Sequence, residues 1–192
     1  KAETVTLNGK GVTIGEAAVS EDLTVNSEAT AVITKANVGR NFAVASKGDA
    51  EIVEAVVAGD VQVASEANTN IENGNVSGDV SIESGNATSI ENITSAGLTV
   101  TSQAGKTNIG NAEVTGDVVV SSGEETEVGF MSAETVTLNG KGVTIGEAAV
   151  GEDLAVNSEA SAVITKSNVG RNLMVASKGN TEIAEAVVAG DV

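Results

Sequence analysis

The sequence contains no cysteine, proline, histidine, tryptophan or tyrosine, and Phe42 and Phe130 are its only aromatic residues. Without cysteine the chain forms no disulfide and offers no thiol chemistry. Without histidine and cysteine, most nucleophile–base pairs used in catalysis are excluded. No apolar run approaches the roughly 18 residues that span a bilayer, so we expect no membrane insertion. The sequence predicts no cofactor.

Basic residues are also scarce, with 10 Lys and Arg against 27 Asp and Glu. An acidic surface repels phosphate backbones, so we expect no nucleic-acid partner. Hydrophobic residues still make up 41% of the chain, which is too many for a disordered protein. Since most of them are Val, Ala and Ile, the core has to be built from small aliphatic side chains, repeated many times.

A long repeat dominates the sequence. The stretch AETVTLNGKGVTIGEAAV occurs at residues 2–19 and again at 133–150. Over a wider window, residues 2–61 match residues 133–192 at 51 of 60 positions, a period of 131 residues. Self-similarity at a fixed period is typical of repeat architectures. The second copy stops in the middle of a unit, so we expect the chain to be a fragment of a longer protein.

A shorter period of 18 to 20 residues lies inside the long one. Each short unit starts at the first apolar residue of a V-x-V-like triplet, and these residues are Val5, Leu23, Phe42, Val61, Val80, Leu98, Val118, Val136, Leu154 and Leu173. Seven units sum to 131 residues, so the super-repeat is a block of seven coils (5–135), and a second copy begins at 136 and is truncated at 192. Each unit holds three runs of period-2 alternation, which indicate half-buried strands.

Three short strands bury too little surface to fold alone, whereas stacked units share a continuous core. We therefore predict an all-β fold: a three-sided parallel β-solenoid (β-helix), right-handed, of about ten coils, continuous over 1–192. Coils at strand spacing rise about 4.8 Å each, so ten coils make a rod of roughly 48 Å. Two coils depart from the pattern, near Asn92–Gly97 and Phe130–Thr135, where we expect a bend or a protruding loop.

Two columns of short polar residues recur in this frame, and we expect both to cap backbone groups at the corners. The serine column follows the first strand and contains Ser27, Ser46, Ser65, Ser84, Ser102, Ser122, Ser158 and Ser177. The Asx column precedes the first strand and contains Asp22, Asn41, Asp60, Asp79, Asp117, Asp153, Asn172 and Asp191. A metal site on the Asx column is the alternative to capping, but the calcium-binding repeats carry paired glycines that are missing here, so no metal is predicted.

Charged residues form columns of alternating sign. One column contains Lys10, Glu28, Lys47 and Glu66, and another contains Glu16, Lys35 and Glu54. In-register stacking favours such alternation because like charges on neighbouring coils repel.

The densest acidic cluster is Glu124, Glu125 and Glu127. A carboxylate pair could serve glycoside hydrolysis, but no aromatic platform or histidine accompanies it. We interpret this cluster as a solvated turn and predict no catalytic residue.

The coil motifs GDVQVAS (59–65), GDVSIES (78–84) and GDVVVSS (116–122) resemble the repeat regions of large secreted bacterial adhesins of the filamentous haemagglutinin type. They are more weakly similar to bactofilins, cytoskeletal β-helices that polymerise end to end. The first resemblance implies a right-handed β-helical shaft that is extracellular or lies at the cell surface.

Our sequence-based prediction is a structural repeat segment of a bacterial fibre, filament or adhesin shaft that supplies length and stiffness and is not an enzyme. Its expected partner is itself, through end-to-end or lateral homo-assembly, or further coils of the same chain, with contact to a cell surface or carbohydrate. One alternative is a carbohydrate- or protein-binding surface module, and another is a carbohydrate-active β-helix enzyme.

Overall fold

A computed structural model describes residues 2–192, in which the regular secondary structure is β-strand throughout. The chain winds through ten coils, each with three faces joined by three corners. Every strand pairs in parallel with its equivalents in the neighbouring coils. The prediction of an all-β parallel solenoid of about ten turns is confirmed.

The first face is a ten-stranded sheet with one strand from each coil. Its strands are β1 (Val5–Gly9), β4 (Leu23–Ser27), β7 (Phe42–Ser46), β10 (Val61–Ser65), β12 (Val80–Ser84), β14 (Leu98–Ser102), β16 (Asp117–Ser122), β18 (Thr135–Gly140), β20 (Leu154–Ser158) and β23 (Leu173–Ser177).

The second and third faces carry separate short strands in coils 1–3, 9 and 10. Those of the second face are β2 (Val12–Ile14), β5 (Ala31–Thr34), β8 (Ala50–Val53), β21 (Ala162–Thr165) and β24 (Thr181–Ala184). Those of the third face are β3 (Ala17–Val19), β6 (Ala36–Val38), β9 (Val56–Val57), β22 (Ser167–Val169) and β25 (Val187–Val188). In coils 4–8 one longer strand covers both faces, and these are β11 (Thr69–Val76), β13 (Thr88–Ser95), β15 (Thr107–Val114), β17 (Thr126–Ala133) and β19 (Val143–Val150).

The stacking register places each inward residue on its equivalent one coil away. Val61, for example, pairs with Phe42 on one side and with Val80 on the other. Inward residues of all three faces meet in one continuous core. Because strand residues alternate between the two sides of a sheet, the period-2 pattern decides which side chains are buried. The largest fully buried side chain is that of Phe42.

Differences in coil length are absorbed at two of the three corners. At the first corner, between the first and second faces, coils 1 and 8 have one residue fewer than coil 2 and coil 6 has one more. At the third corner, which leads to the next coil, coils 5 and 7 are one residue shorter than the others. The second corner has the same length in every coil, because it is a kink between two strands with no loop of its own.

The expected bend or loop near Asn92–Gly97 and Phe130–Thr135 is wrong. The continuous strands β13 and β17 run through most of both segments and pair in register with their neighbours. The irregularity in the sequence is the single residue missing from the third corner of each coil, which shortens a turn without interrupting a strand.

The second corner is turned in two ways. Six coils place a residue other than glycine there with φ between 46° and 58°, and these residues are Lys35, Glu54, Asn73, Asn92, Lys166 and Glu185. The other four coils have glycine immediately before the corner and no positive φ, and these glycines are Gly15, Gly110, Gly129 and Gly146. Left-handed backbone is unusual for Lys and Glu, so the pairing of the flanking strands holds these residues in it.

Corner columns as the candidate functional site

The serine column lies at the first corner and binds carbonyl groups of two coils. Ser84 is fully buried, and its Oγ lies 2.8 Å from the carbonyl oxygen of Ala67 in the preceding coil and 3.0 Å from that of Ala87 in its own coil. Ser46, Ser65, Ser122 and Ser158 repeat this double contact. Ser27 donates only to a carbonyl of its own coil and Ser177 only to a carbonyl of the preceding coil. Both carbonyl oxygens that contact Ser84 also accept a backbone N–H, so the hydroxyl occupies their second acceptor position at the turn.

Ser102 is the exception because its corner is one residue longer. Its Oγ lies 2.7 Å from Oγ1 of Thr88 and 2.8 Å from Oγ1 of Thr107, all inside the core. The neighbouring Thr69 is buried too, but its Oγ1 has no hydrogen-bond partner within the described residues. Serine therefore donates to corner carbonyl groups in seven coils, whereas in coil 6 it joins a buried hydroxyl cluster.

Replacing Ser84 with alanine is expected to lower the free energy of unfolding by about 1 kcal/mol, because the hydrogen bonding of a buried hydroxyl is lost while each of the two carbonyl groups keeps a backbone N–H donor. Urea denaturation followed by far-UV circular dichroism measures this change. Ser81→Ala is the matched control, since Ser81 lies on the same strand with its side chain exposed. Equal losses in the two variants would contradict the capping role.

The Asx column lies at the third corner and links successive coils. The backbone N–H of Asp79 donates to Oδ1 of Asp60 at 2.9 Å, and the N–H of Asp60 donates to Oδ1 of Asn41 at 3.1 Å. Asp22 and Asp153 accept in the same way from the next coil, and Asp191 donates to Asn172. Asp117 differs, because its Oδ1 accepts from the hydroxyl of Thr135. In these pairs a carboxylate or amide oxygen caps the coil that follows, which explains why Asn and Asp interchange here.

The alternating charges lie where in-register stacking puts them, on the exposed corners. At the second corner Lys35 Nζ lies 3.8 Å from Glu54 Oε2, and at the first corner Lys178 Nζ lies 3.7 Å from Glu159 Oε1. Beside the Asx column, Arg171 lies 2.9 Å from Oε2 of Glu152. Such exposed pairs contribute under about 1 kcal/mol each, so their main effect is to disfavour a shifted register.

Two of the three glutamates in the acidic cluster of coil 7 pair with lysines of the adjacent coils. Glu124 pairs with Lys141 of coil 8 at 2.5 Å, and Glu125 pairs with Lys106 of coil 6. The hydrogen bonds to Glu125 and Glu124 raise the pKa of Lys106 and of Lys141, respectively, above the ordinary lysine value. A raised lysine pKa stabilises the fold at neutral pH, and this contribution is lost only as the pH rises above about 10.5. These carboxylates therefore act as links between coils.

A shallow groove follows the first corner in both copies of the repeat. In the first copy it measures about 880 Å³ and is lined by Asn8, Lys10, Asn26, Glu28, Ala45 and Lys47, among others. In the second copy it measures about 690 Å³, with the equivalent residues 131 positions later. Amide side chains are hydrogen-bonded along its wall, as between Asn26 and Asn8 at 2.7 Å. Because lysine and glutamate alternate, the groove has no strong field of one sign.

Within residues 2–192 no group of three or more acidic residues is arranged to hold a metal ion. A bilayer-spanning helix is likewise absent from this part of the chain. Comparison with models of protein families, with curated proteins and with solved structures gives no significant match. The resemblance to filamentous haemagglutinin-type adhesins and to bactofilins thus stays a prediction from the coil motifs.

Proposed function

We propose that this protein is a structural segment of a bacterial extracellular fibre or adhesin shaft, where it supplies length and stiffness. The observation that carries the proposal is the unbroken stack of ten coils, in which the backbone of each described coil is hydrogen-bonded to its neighbours. Hydrogen bonds that run along the axis at every face resist bending in all directions.

The duplicated block supports the same role. Coil 8 follows coil 7 with the same parallel pairing that joins coils within a block, so adding a block extends the rod without a new fold. A spacer gains from such addition, whereas an enzyme needs its site only once. The acidic composition suits an extended surface exposed to solvent on all sides.

Inserting a second copy of residues 5–135 between Thr135 and Val136 is expected to lengthen the rod by seven coils, or about 34 Å. Both ends of the insert reproduce a native junction: coil 7 is followed either by the inserted coil 1 or by coil 8, which repeats coil 1. Negative-stain electron microscopy would show rods growing from roughly 48 Å to about 82 Å at unchanged width. The midpoint of thermal unfolding should not fall.

A scrambled insert of the same length and composition is the matched control, and it should add disordered mass without length. The spacer role would be contradicted if the duplicated chain gave particles no longer than the parent. It would also be contradicted if the parent chain itself formed compact, round particles.

A further inference from the structure

The outer surface of the first face is almost free of charge. Between the Asx column and the serine column, each of its ten strands has two outward side chains, and Glu83 is the only charged residue among these twenty. Most of the others are alanine, threonine, asparagine or serine. The second face differs, because its outward positions include Glu51, Glu72, Glu91, Glu127 and Glu182. On a chain with a net charge of −17, the first face is therefore the broadest surface that a second acidic copy can approach without strong repulsion.

The first face is also wide enough for a stable contact between two rods. Its strands of five or six residues span about 16 Å, and nine of them stack over roughly 43 Å. Face-to-face packing of nine strands thus covers about 700 Å² on each copy, close to the 800 Å² or so that each partner gives to a standard interface. The third face has few charges too, but it is only two or three residues wide, as in β3 and β9, and offers less than about 500 Å².

Two rods that pair through this face form a closed dimer only about a two-fold axis, and the corner charges distinguish the possible axes. With the axis along the rod, each strand faces itself, and the first corner lies opposite the third corner of the second copy. Like charges then meet at five strands: Glu28 with Glu21 at β4, Lys47 with Arg40 at β7, Glu66 with Asp60 at β10, Glu159 with Glu152 at β20, and Lys178 with Arg171 at β23. The charges therefore disfavour parallel rods.

With the axis along a strand, the rods run in opposite directions, and each corner lies opposite the same corner of the second copy. If the axis follows β14, then β4 faces β23, β7 faces β20, β10 faces β18, and β12 faces β16. Opposite charges then meet in five combinations: Glu28 with Lys178, Lys47 with Glu159 and Glu66 with Lys141 at the first corner, and Glu21 with Arg171 and Arg40 with Glu152 at the third. Like charges meet in two, Asp60 with Glu134 and Asp79 with Asp117. The two-fold axis makes each combination occur twice.

The alternation of sign along the first corner also selects the register of antiparallel rods. Moving the axis to the gap between β12 and β14 would let all ten strands overlap. That register pairs like charges along the whole first corner: Lys10 with Lys178, Glu28 with Glu159, and Lys47 with Lys141. The register centred on β14 is therefore favoured although it overlaps one strand fewer.

We infer that the first face is a docking surface for the first face of a second copy, with the two rods antiparallel and the two-fold axis along β14. The small outward side chains let the sheets pack about 10 Å apart. Thr99 then lies opposite Thr99 of the second copy, and Val119, which is 39% exposed in the single chain, is covered opposite Ser81. The inference rests on the proposed function, since it makes the shaft a pair of rods.

Single introduced cysteines report the arrangement directly, because the chain has none of its own. Thr99→Cys places two thiols on the axis, and we expect a disulfide-linked dimer after mild oxidation, seen by non-reducing gel electrophoresis. Thr24→Cys is the matched control on the same face. Its two copies lie eight coils, or about 38 Å, apart in the antiparallel dimer, whereas parallel rods would bring them within reach of each other.

A carboxylate on the axis should prevent the contact. Thr99→Glu brings two negative charges together, and we expect dimerisation at least tenfold weaker by sedimentation velocity at low salt. Asn75→Glu is the control, because it makes the same change of charge on the third face, where its neighbours Val56 and Thr94 are uncharged. It should associate like the parent. Both side chains point outward, so circular dichroism should show the parent fold in both variants.

A charge exchange tests the register. Lys47→Glu should weaken dimerisation about fivefold, because it alters two symmetry-related pairs. Adding Glu159→Lys restores opposite charges across the contact, and association should return to near the parent level. Adding Glu147→Lys instead restores the net charge but not the pair, because Glu147 lies at the second corner, so association should stay weak.

Three outcomes would overturn the inference. The parent chain could remain as single rods up to about 1 mM at low salt, Thr24→Cys could cross-link as well as Thr99→Cys, or Thr99→Glu and Asn75→Glu could associate alike. The spacer role stands in each case as long as electron microscopy shows rods of the expected length. Round particles would instead remove the proposed function itself.

Discussion

Phe42→Ala is expected to lower the free energy of unfolding by about 3 to 5 kcal/mol, because it leaves a cavity that the stacked coils cannot close. The ring of Phe42 is 1% exposed and lies between Leu23 and Val61 on the first face. Strands fixed in register on both sides leave the backbone little freedom to collapse. The measurement is a urea transition followed by far-UV circular dichroism, since the chain has no tryptophan or tyrosine for fluorescence.

Phe42→Leu is the control that the molecule itself supplies. Leu173 occupies the equivalent place in coil 10 and is equally buried. We expect this variant to lose about 1 kcal/mol, as hydrophobic replacements that nearly conserve volume do. Losses of the same size for alanine and leucine would mean that the core of coil 3 is loosely packed, in conflict with the structure.

Gly123→Ala is expected to destabilise the protein by about 3 kcal/mol through overlap with the backbone of the preceding coil. A Cβ atom on Gly123 would lie 2.2 Å from the carbonyl oxygen of Gln103. That oxygen is a backbone atom, so a side-chain rotation cannot relieve the contact. Thermal and urea unfolding should both shift, and the hydrogen bond from Gly123 N to Ser102 O should lose its amide-exchange protection.

Gly142→Ala tests whether the loss comes from the close approach or from glycine flexibility. Gly142 lies at the same corner one coil later, and the nearest atom to its added Cβ would be Glu125 Cγ at 3.4 Å. An ordinary contact with a flexible side chain predicts a change within about 1 kcal/mol, which could be stabilising because alanine restricts the unfolded chain. Similar losses at Gly123 and Gly142 would refute the steric account.

Much of the fold follows from the sequence because a single rule repeats. Inward residues alternate on each face, and one coil such as 61–79 defines the frame for the rest. The serine and Asx columns could be found in the same way, since a column has one residue type only if its positions share one environment. Their partners could not be predicted, because the Asx caps reach the next coil and depend on the stacking geometry.

The backbone conformation of the second corner could not be predicted from the sequence. Left-handed backbone is usually signalled by glycine or asparagine, yet Lys35 and Glu54 adopt it. The energy that holds them there comes from strand pairing on both sides, which local sequence does not reveal. The prediction of a bend or loop in coils 5 and 7 is wrong for a similar reason. A missing residue in a turn and an added loop both disturb a repeat pattern, and only the pairing of β13 and β17 distinguishes them.

The direction of the hydrogen bonds has a mechanical consequence. Strands lie across the axis, so a pull on the two ends of the rod loads the bonds between coils in tension. Each coil is held only by its neighbours, and it peels away as a unit that releases about 65 Å of chain for 19 residues. The ten coils are roughly 48 Å long when stacked, and the fully extended chain is more than ten times as long. Under a load that exceeds the strength of one coil, the rod lengthens as coils unfold one at a time, and each unfolding event absorbs mechanical work.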